Sequence, residues 1–376
     1  MKKNFFMLAA TAALFAACAE TELVNEVNTV AEPQAIGFET FANKATRAEN
    51  STQGNKWDLE KHQTEFNVWS AKQLGDGTWV SVYADATPDE RVYLDGGAWK
   101  VTTTKYWDKA ATRYRFYAAA PVANWGYDVN GTATDFSDDF LTLSGVVLNG
   151  TNLSTTPSNS ISYQDSWLLA GGDIDYLIAT DKVVERSFYT GATVEKVNLE
   201  FNHILSRLNI TVKKSEALNT AGAVVEVTDL TVYGLLNKGN FNEGADLGTD
   251  VLTNGTTKRW TTETETETIN GLDYTMTNEA AYLVQSLVIP QTAGYEPVDR
   301  NGTTAETKPY FEIAYKINGE PYKATYNLAH AFAGENDVKF CEGWQNTLNI
   351  TINATSIEFD SEVFQWADVV NGSNID

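Results

Sequence analysis

The sequence predicts an all-β protein built from β-sandwiches, and three observations carry that expectation. Short segments alternate apolar with polar residues at a period of two, which puts one strand face in a core and the other in water. Residues that fit a pleated, half-buried surface are abundant, with 17 Tyr, 17 Phe and 10 Trp against 3 Met. Long apolar patterns at helical spacing are scarce.

The N-terminus is set aside first. Met1-Lys2-Lys3 is a basic start, and Phe5 to Ala17 is an apolar and small-residue run interrupted by Thr11. With a small-residue cleavage site, these mark a secretory signal over residues 1–17. The run is too short to cross a bilayer as a helix, which takes about 20 residues. Cys18 directly after Ala16-Ala17 is the lipobox pattern. Acyl chains on Cys18 would anchor the mature chain to a membrane, each buried CH₂ adding about 0.8 kcal/mol. Cys341 is the only other cysteine, so no disulfide framework and no thiolate metal site is expected.

The length of 376 residues suggests two domains. The net charge is −23, and removal of Lys2 and Lys3 makes the mature chain more acidic still. Such a surface repels phosphate backbones, which excludes nucleic acid as a partner.

Residues 19–35 read as a polar linker, and Ile36-Gly37-Phe38-Glu39 as a short extended segment with Ile36 and Phe38 on one face. Asn43 to Thr52 is polar, small and exposed, the kind of segment that proteases cut. Half-buried strands follow at Phe66–Ser70, Trp79–Tyr83, Arg113–Tyr117, Val197–His203, Leu208–Lys213 and Leu348–Asn353. Phe311–Tyr326 is the clearest hairpin, because Asn318-Gly319 suits a type I′ turn with two positive φ angles. The Thr/Glu alternation of Thr261–Thr268 reads as a solvated strand or loop.

Candidate chemistry is thin. His62, His203 and His330 are far apart in sequence, and His203 is expected to be a buried histidine hydrogen-bonded to a neighbour. No His-Glu-x-x-His, no Gly-x-Ser-x-Gly elbow and no phosphate-binding glycine loop occurs. Asp135, Asp138 and Asp139 form an acidic cluster without a calcium-loop pattern and read as a solvated loop. No cofactor and no catalytic residue is expected. Composition leaves a glycosidase carboxylate pair open. Trp79, Trp99, Trp107 and Trp125 would form a glycan platform if they lay exposed in a row, although aromatics in sandwiches are mostly core.

Several weak motifs occur in a telling order. They are the lipobox with Ile36-Gly37-Phe38 and Lys44-Ala45-Thr46-Arg47-Ala48; Trp99, Tyr106-Trp107 and Tyr114–Pro121; and Asp175–Ala179. Phe201-Asn202-His203-Ile204-Leu205-Ser206-Arg207-Leu208, Leu287–Gln291 and Gly343-Trp344 with Ile357-Glu358-Phe359, Val363 and Trp366 complete the series. In this order the chain resembles the fimbrillin (Mfa/FimA-like) family of Bacteroidetes, the subunits of type V pili. The family commonly has Pro after the second Trp, where this chain has Asp108.

The resemblance implies two transthyretin-like β-sandwiches, at 48–205 and 206–376, after a lipidated linker and removable N-terminal strand at 18–47. It implies trimming after Arg47 by a trypsin-like protease, and polymerisation with other fimbrial subunits by strand exchange. Ile36 and Phe38 would anchor the removable strand. Residues 357–376 would be a donor strand, with Ile357, Phe359, Val363, Phe364 and Trp366 as anchors. The expected location is the outer membrane and cell surface, with the acidic Ala-Glu-Thr-Glu after Cys18 in keeping with surface export. A host protein or glycan ligand is left open. The expected role is a structural and adhesive subunit, accessory or tip-proximal rather than shaft, and not an enzyme. The alternatives are a surface glycan-binding lipoprotein and, third, a glycoside hydrolase.

Overall fold

The computed structural model describes residues 33–42, 65–83, 90–123, 125–128, 136, 138–153, 155–159, 173–190, 194–245, 259–277, 279–294, 308–334 and 336–365. From Ala35 onward the described residues make one compact unit that is nearly all β. The helices α1 (Arg186–Thr190), α2 (Glu216–Thr220) and α3 (Leu328–Ala333) are single turns or little more.

The first sheet has eight strands. Its order is β1 (Phe38–Ala42), β10 (Val197–His203), β9 (Leu177–Glu185), β6 (Arg113–Ala120), β2 (Glu65–Gln73), β4 (Arg91–Asp95) and β5 (Ala98–Val101), with β3 (Trp79–Tyr83) also on β2. The sheet rolls until its ends meet around a core of aromatic rings. Phe66 of β2 packs edge-on against Trp99 of β5 at 5.0 Å and Phe201 of β10 at 5.3 Å. Trp107 stacks on Tyr189 of α1 at 4.8 Å and meets Tyr114 at 4.7 Å. Such pairs add to the area they bury.

Asp108, where the family commonly has Pro, has a local reason. Its backbone N–H donates to the Tyr114 hydroxyl at 2.6 Å, a bond that proline cannot make. Its carboxylate accepts from Lys72 Nζ at 2.7 Å, and that bond first, then the Ala110 N–H, lowers its pKa.

The outer face of the rolled sheet is covered by a second sheet, β14 (Trp260–Thr262), β13 (Lys238–Asn242), β8 (Phe140–Val147) and β7 (Trp125–Asp128). Trp69, Tyr117 and Ile178 of the first sheet pack there with Leu141, Leu143, Phe241 and Trp260. Strand β8 pairs antiparallel with β13, so this sheet joins residues from both sides of the division drawn at 205/206. The chain passes between the two regions at Ile204-Leu205, where the Trp260 indole donates to the Ile204 carbonyl at 2.9 Å.

The C-terminal region is a sandwich of two four-membered layers with a small extra strand. One layer is β17 (Ala281–Val288), β11 (Ser206–Lys214), β22 (Trp344–Ile352) and β23 (Ile357–Gln365). The other is β15 (Thr266–Asn270), β12 (Val225–Leu236), β19 (Tyr310–Ile317) and β20 (Glu320–Asn327), with β16 (Tyr274–Thr275) on β12. Leu208, Ile210, Val212, Leu348 and Ile350 meet Val227, Leu230, Val232, Phe311 and Ile313 between them. A two-stranded ribbon, β18 (Gln291–Ala293) with β21 (Val338–Phe340), closes one end.

The hairpin β19–β20 turns at Asn318 (φ 49°) and Gly319 (φ 88°), the expected pair of positive angles. A side chain at Gly319 would be strained there. Gly319→Ala is expected to cost about 1–2 kcal/mol in a urea titration.

Three expectations need correction. Strands 66–70 and 208–213 are not half in water: Phe66 through Ser70 and Leu208 through Val212 are all buried. Strand β2 lies between two cores, and the polar face of β11 lies under a network in which Arg207 donates to Gln285 Oε1 at 2.6 Å and Asn209 Oδ1 at 3.1 Å. The Thr/Glu run is not wholly solvated, since Glu267 pairs opposite Leu235 and turns inward. Asp139 is buried and accepts from the Tyr127 hydroxyl, while Asp138 is exposed.

Candidate functional site

The site begins with β1. It runs parallel to β10, with Phe38 opposite Val197 and Ala42 opposite Phe201, a pairing slightly weaker per residue than an antiparallel one. Just upstream, Ile36 N–H donates to the Lys105 carbonyl at 2.9 Å, and Ala35 bridges to Tyr106. The 35–42 segment therefore lies between β10 and the chain after β5, closing the rolled sheet.

Ile36 is 2% and Phe38 1% exposed, on the face the sequence assigned to them. The Phe38 ring centroid lies 5.8 Å from Phe116, 6.0 Å from Tyr83 and 6.3 Å from Phe66. Burial of one such ring is worth about 1.5–3 kcal/mol. Lifting this segment would open an apolar groove floored by Phe66, Tyr83, Phe116 and Phe201. Burial, and next the nearby Glu90 charge, pushes the Tyr83 phenol well above its ordinary pKa, so it stays neutral. Thr40 fits less well: its hydroxyl is buried without a hydrogen-bond partner among the described residues. An orphaned buried group of this kind costs about 1–3 kcal/mol.

The candidate donor strand lies elsewhere. Ile357, Phe359 and Val363 belong to β23, which pairs with β22 over nine residues from Ile357↔Ile352 to Gln365↔Trp344. Ile357 and Phe359 pack against the C-terminal core, Phe359 meeting Tyr326 at 4.7 Å, whereas Val363 is 46% exposed. Phe364 pairs through its backbone opposite Gln345. The structure thus packs Ile36 and Phe38 together in the core of the first sheet and places the β23 residues in another sheet. Cys18, Arg47, His62, Asp135 and Trp366 lie outside the described residues.

The remaining candidates are structural. His203 Nδ1 lies 2.9 Å from Asp175 Oδ2 with both side chains nearly buried, as expected of a core histidine. Trp79, Trp99, Trp107 and Trp125 are all buried, so they make no exposed row. Among the described residues, no group of three or more His, Cys, Asp or Glu is placed to hold a metal ion.

Sequence reasoning missed the walls of the groove, and it missed one carboxylate pair. Phe66, Phe116 and Phe201 each sit at alternate positions of their strands, and that spacing was the available signal. Glu267 and Asp173 are both buried, from distant stretches of chain. Asp173 accepts from the N–H groups of Asn149 at 2.6 Å and Thr151 at 2.9 Å. Burial first, then the Asp173 charge, raises the Glu267 pKa well above its ordinary value, and the Gly150 N–H opposes the shift.

Comparison with known proteins adds the following. A family described as Fimbrillin-like matches residues 46–366. No curated protein sequence matches the chain. Among solved structures, a fimbrial protein from Bacteroides vulgatus aligns at 15% identity and a TM-score of 0.49, covering 89% of this chain and 99% of that one. The tip fimbrial protein Mfa3 from Porphyromonas gingivalis, with a C-terminal truncation, aligns at 9% identity and a TM-score of 0.39, covering 88% and 100%.

Proposed function

The chain belongs to the fimbrillin-like family, and from that premise we propose that it is an accessory or tip-proximal fimbrial subunit that receives a partner's strand in place of β1. The observation that carries the reading is the seat of Phe38 in an aromatic groove on a five-residue parallel edge strand. A short parallel strand is the easiest element of the sheet to exchange. Its replacement would regain main-chain hydrogen bonds and refill the pockets of Ile36 and Phe38, which is β-augmentation. Thr40 supports the same reading, because a strand offering an apolar residue there would fit better than the resident one.

Cleavage after Arg47 would free the segment, and acylation of Cys18 would hold the precursor at the outer membrane and cell surface until then. The tandem transthyretin-like sandwiches divide near residue 205 in this reading, with the β7–β8–β13–β14 sheet as their shared wall. Pairing of β23 inside its own sandwich supports a receiving role over a donating one for 357–365. A host ligand would bind elsewhere on the surface.

Limited trypsin digestion of the leaderless protein, read by mass spectrometry and size analysis, tests the proposal. Cleavage after Arg47 with loss of the 18–47 peptide and capture of a partner strand is the expected result. Cleavage followed by self-assembly into ladders would make the chain a shaft subunit instead. An uncut Arg47 in a stable monomer would remove activation by trimming.

A further inference from the structure

The C-terminal sandwich has edges of unequal character. The β17 edge is covered by residues 151–153 and Ser158, through Leu153 N–H to Gln285 O at 2.6 Å and Tyr282 N–H to Ser158 O at 2.8 Å. The β20 edge carries Pro321, which has no N–H to offer, and Lys323, held on Glu312 at 3.0 Å. Both devices prevent an edge from pairing with foreign strands. Among the described residues the β23 edge has no covering segment, and it runs nine residues without Pro, Gly or a register shift.

Two features of β23 select what would pair with it. On its solvent face Glu358, Asp360 and Glu362 stand exposed at alternate positions, and none has an ion pair among the described residues. Their neighbours on β22, Thr351, Asn349 and Thr347, are neutral. On the other face Val363 is exposed at the rim of a mostly apolar cavity of about 250 Å³, bordered also by Phe332, Val338, Cys341 and Trp344.

We propose that the free edge of β23 accepts an extended segment of a different polypeptide, one with basic residues at alternate positions and an apolar side chain that enters the cavity beside Val363. Charge complementarity identifies this occupant. A second copy of β23 laid antiparallel on the first would bring acidic residues opposite acidic ones, which destabilises the pairing. A strand with Lys or Arg at those positions gains at each. This site is separate from the β1 groove, since the two edges belong to different sheets, and it stands whether or not β1 exchanges.

The test uses the purified protein and three synthetic nine-residue peptides: alternating Lys-Val, alternating Glu-Val and alternating Lys-Pro. The Lys-Val peptide is expected to bind and to slow amide exchange across 357–365. The Glu-Val peptide is expected not to bind. The combined change Glu358→Lys, Asp360→Lys and Glu362→Lys is expected to weaken Lys-Val binding by about tenfold or more, from three lost cross-strand pairs. Val363→Asp, which leaves those charges in place, is expected to weaken it as well.

Equal binding of Lys-Pro, which carries the same charge but cannot pair as a strand, would reduce the site to charge attraction and overturn the proposal. So would a failure of Lys-Val to bind. Binding seen only after residues 366–376 are removed would assign the edge to this chain's own C-terminus and overturn it too. Trypsin trimming at Arg47 is expected to proceed alike in all these variants, which separates this outcome from the β1 reading.

Discussion

Phe38→Ala is expected to destabilise the protein by about 3–5 kcal/mol, the range for removing a buried aromatic ring. The ring fills the space between Phe66, Tyr83 and Phe116, and those side chains are fixed by strands on three sides. They cannot collapse inward to close the cavity, so the loss falls at the upper end. Because β1 is paired along one edge over five residues, the damage is expected to concentrate there. Urea unfolding would show the loss of stability, and amide exchange would show β1 opening ahead of the rest. An unchanged unfolding midpoint would mean that Phe38 does not anchor the strand. Thr40→Val should act in the opposite direction. It removes an unpartnered buried hydroxyl without changing shape, and a gain of about 1 kcal/mol with slower loss of the segment after trimming is expected.

The buried pair of Asp173 and Glu267 is expected to give substitutions of opposite sign. Asp173 accepts two backbone N–H bonds and a third from the Asn149 side chain at 3.1 Å. Asp173→Ala leaves those half-buried donors without their acceptor, at a cost of about 1–3 kcal/mol. Glu267 lacks comparable partners: among the described residues neither carboxylate oxygen has a hydrogen bond of normal geometry, and the Gly150 N–H gives it only weak support.

Its raised pKa means that the folded protein holds a proton that the unfolded chain releases above about pH 4.5. The stability linked to that proton is fully present below the unfolded value and is lost as pH rises through the folded one. Glu267→Gln is therefore expected to raise the melting temperature at neutral and alkaline pH, and to flatten its decline with pH. Thermal melts of the two proteins from pH 4 to pH 9 would check this. A Gln variant that melts lower at every pH would show that the carboxyl group is needed for packing.

The strand positions were legible because each carries its own alternation. Val197–His203 and Leu348–Ile352 bury alternate residues as read, and Asn318-Gly319 turns the hairpin by a local rule that needs no tertiary help. What alternation cannot report is what lies against the polar face. Asn67 looks like a solvent position, yet it shares the face of Trp69, which a second sheet built partly from residues 238–262 covers. Asn209 and Thr211 look solvated too, yet Asn209 accepts from Arg207 beside Gln285, and the Thr211 hydroxyl donates to Asn349 Oδ1 at 2.7 Å.

Of the site, Ile36 and Phe38 were readable as one face of one short segment. Their partners Phe66, Tyr83, Phe116 and Phe201 come from four other strands, and only the roll of the sheet brings them together. The carboxylate pair was hidden more deeply. Nothing local separates Glu267 from the exposed acids around it, and only its pairing opposite Leu235 turns it inward.

The pairing of β8 with β13 also bears on the order in which the molecule can be made. Residues 140–147 have no permanent neighbour on that side until residues 238–242 have appeared, nearly a hundred positions later. A chain that emerges N-terminus first, from a ribosome or through a membrane pore, therefore carries that edge of β8 unpaired, and the apolar surface that Phe241 and Trp260 later cover open, for the interval. Contacts this distant in sequence are slow to form, and the apolar surface they leave open meanwhile invites association. The early half of such a protein is complete only when a short strand from the later half has arrived.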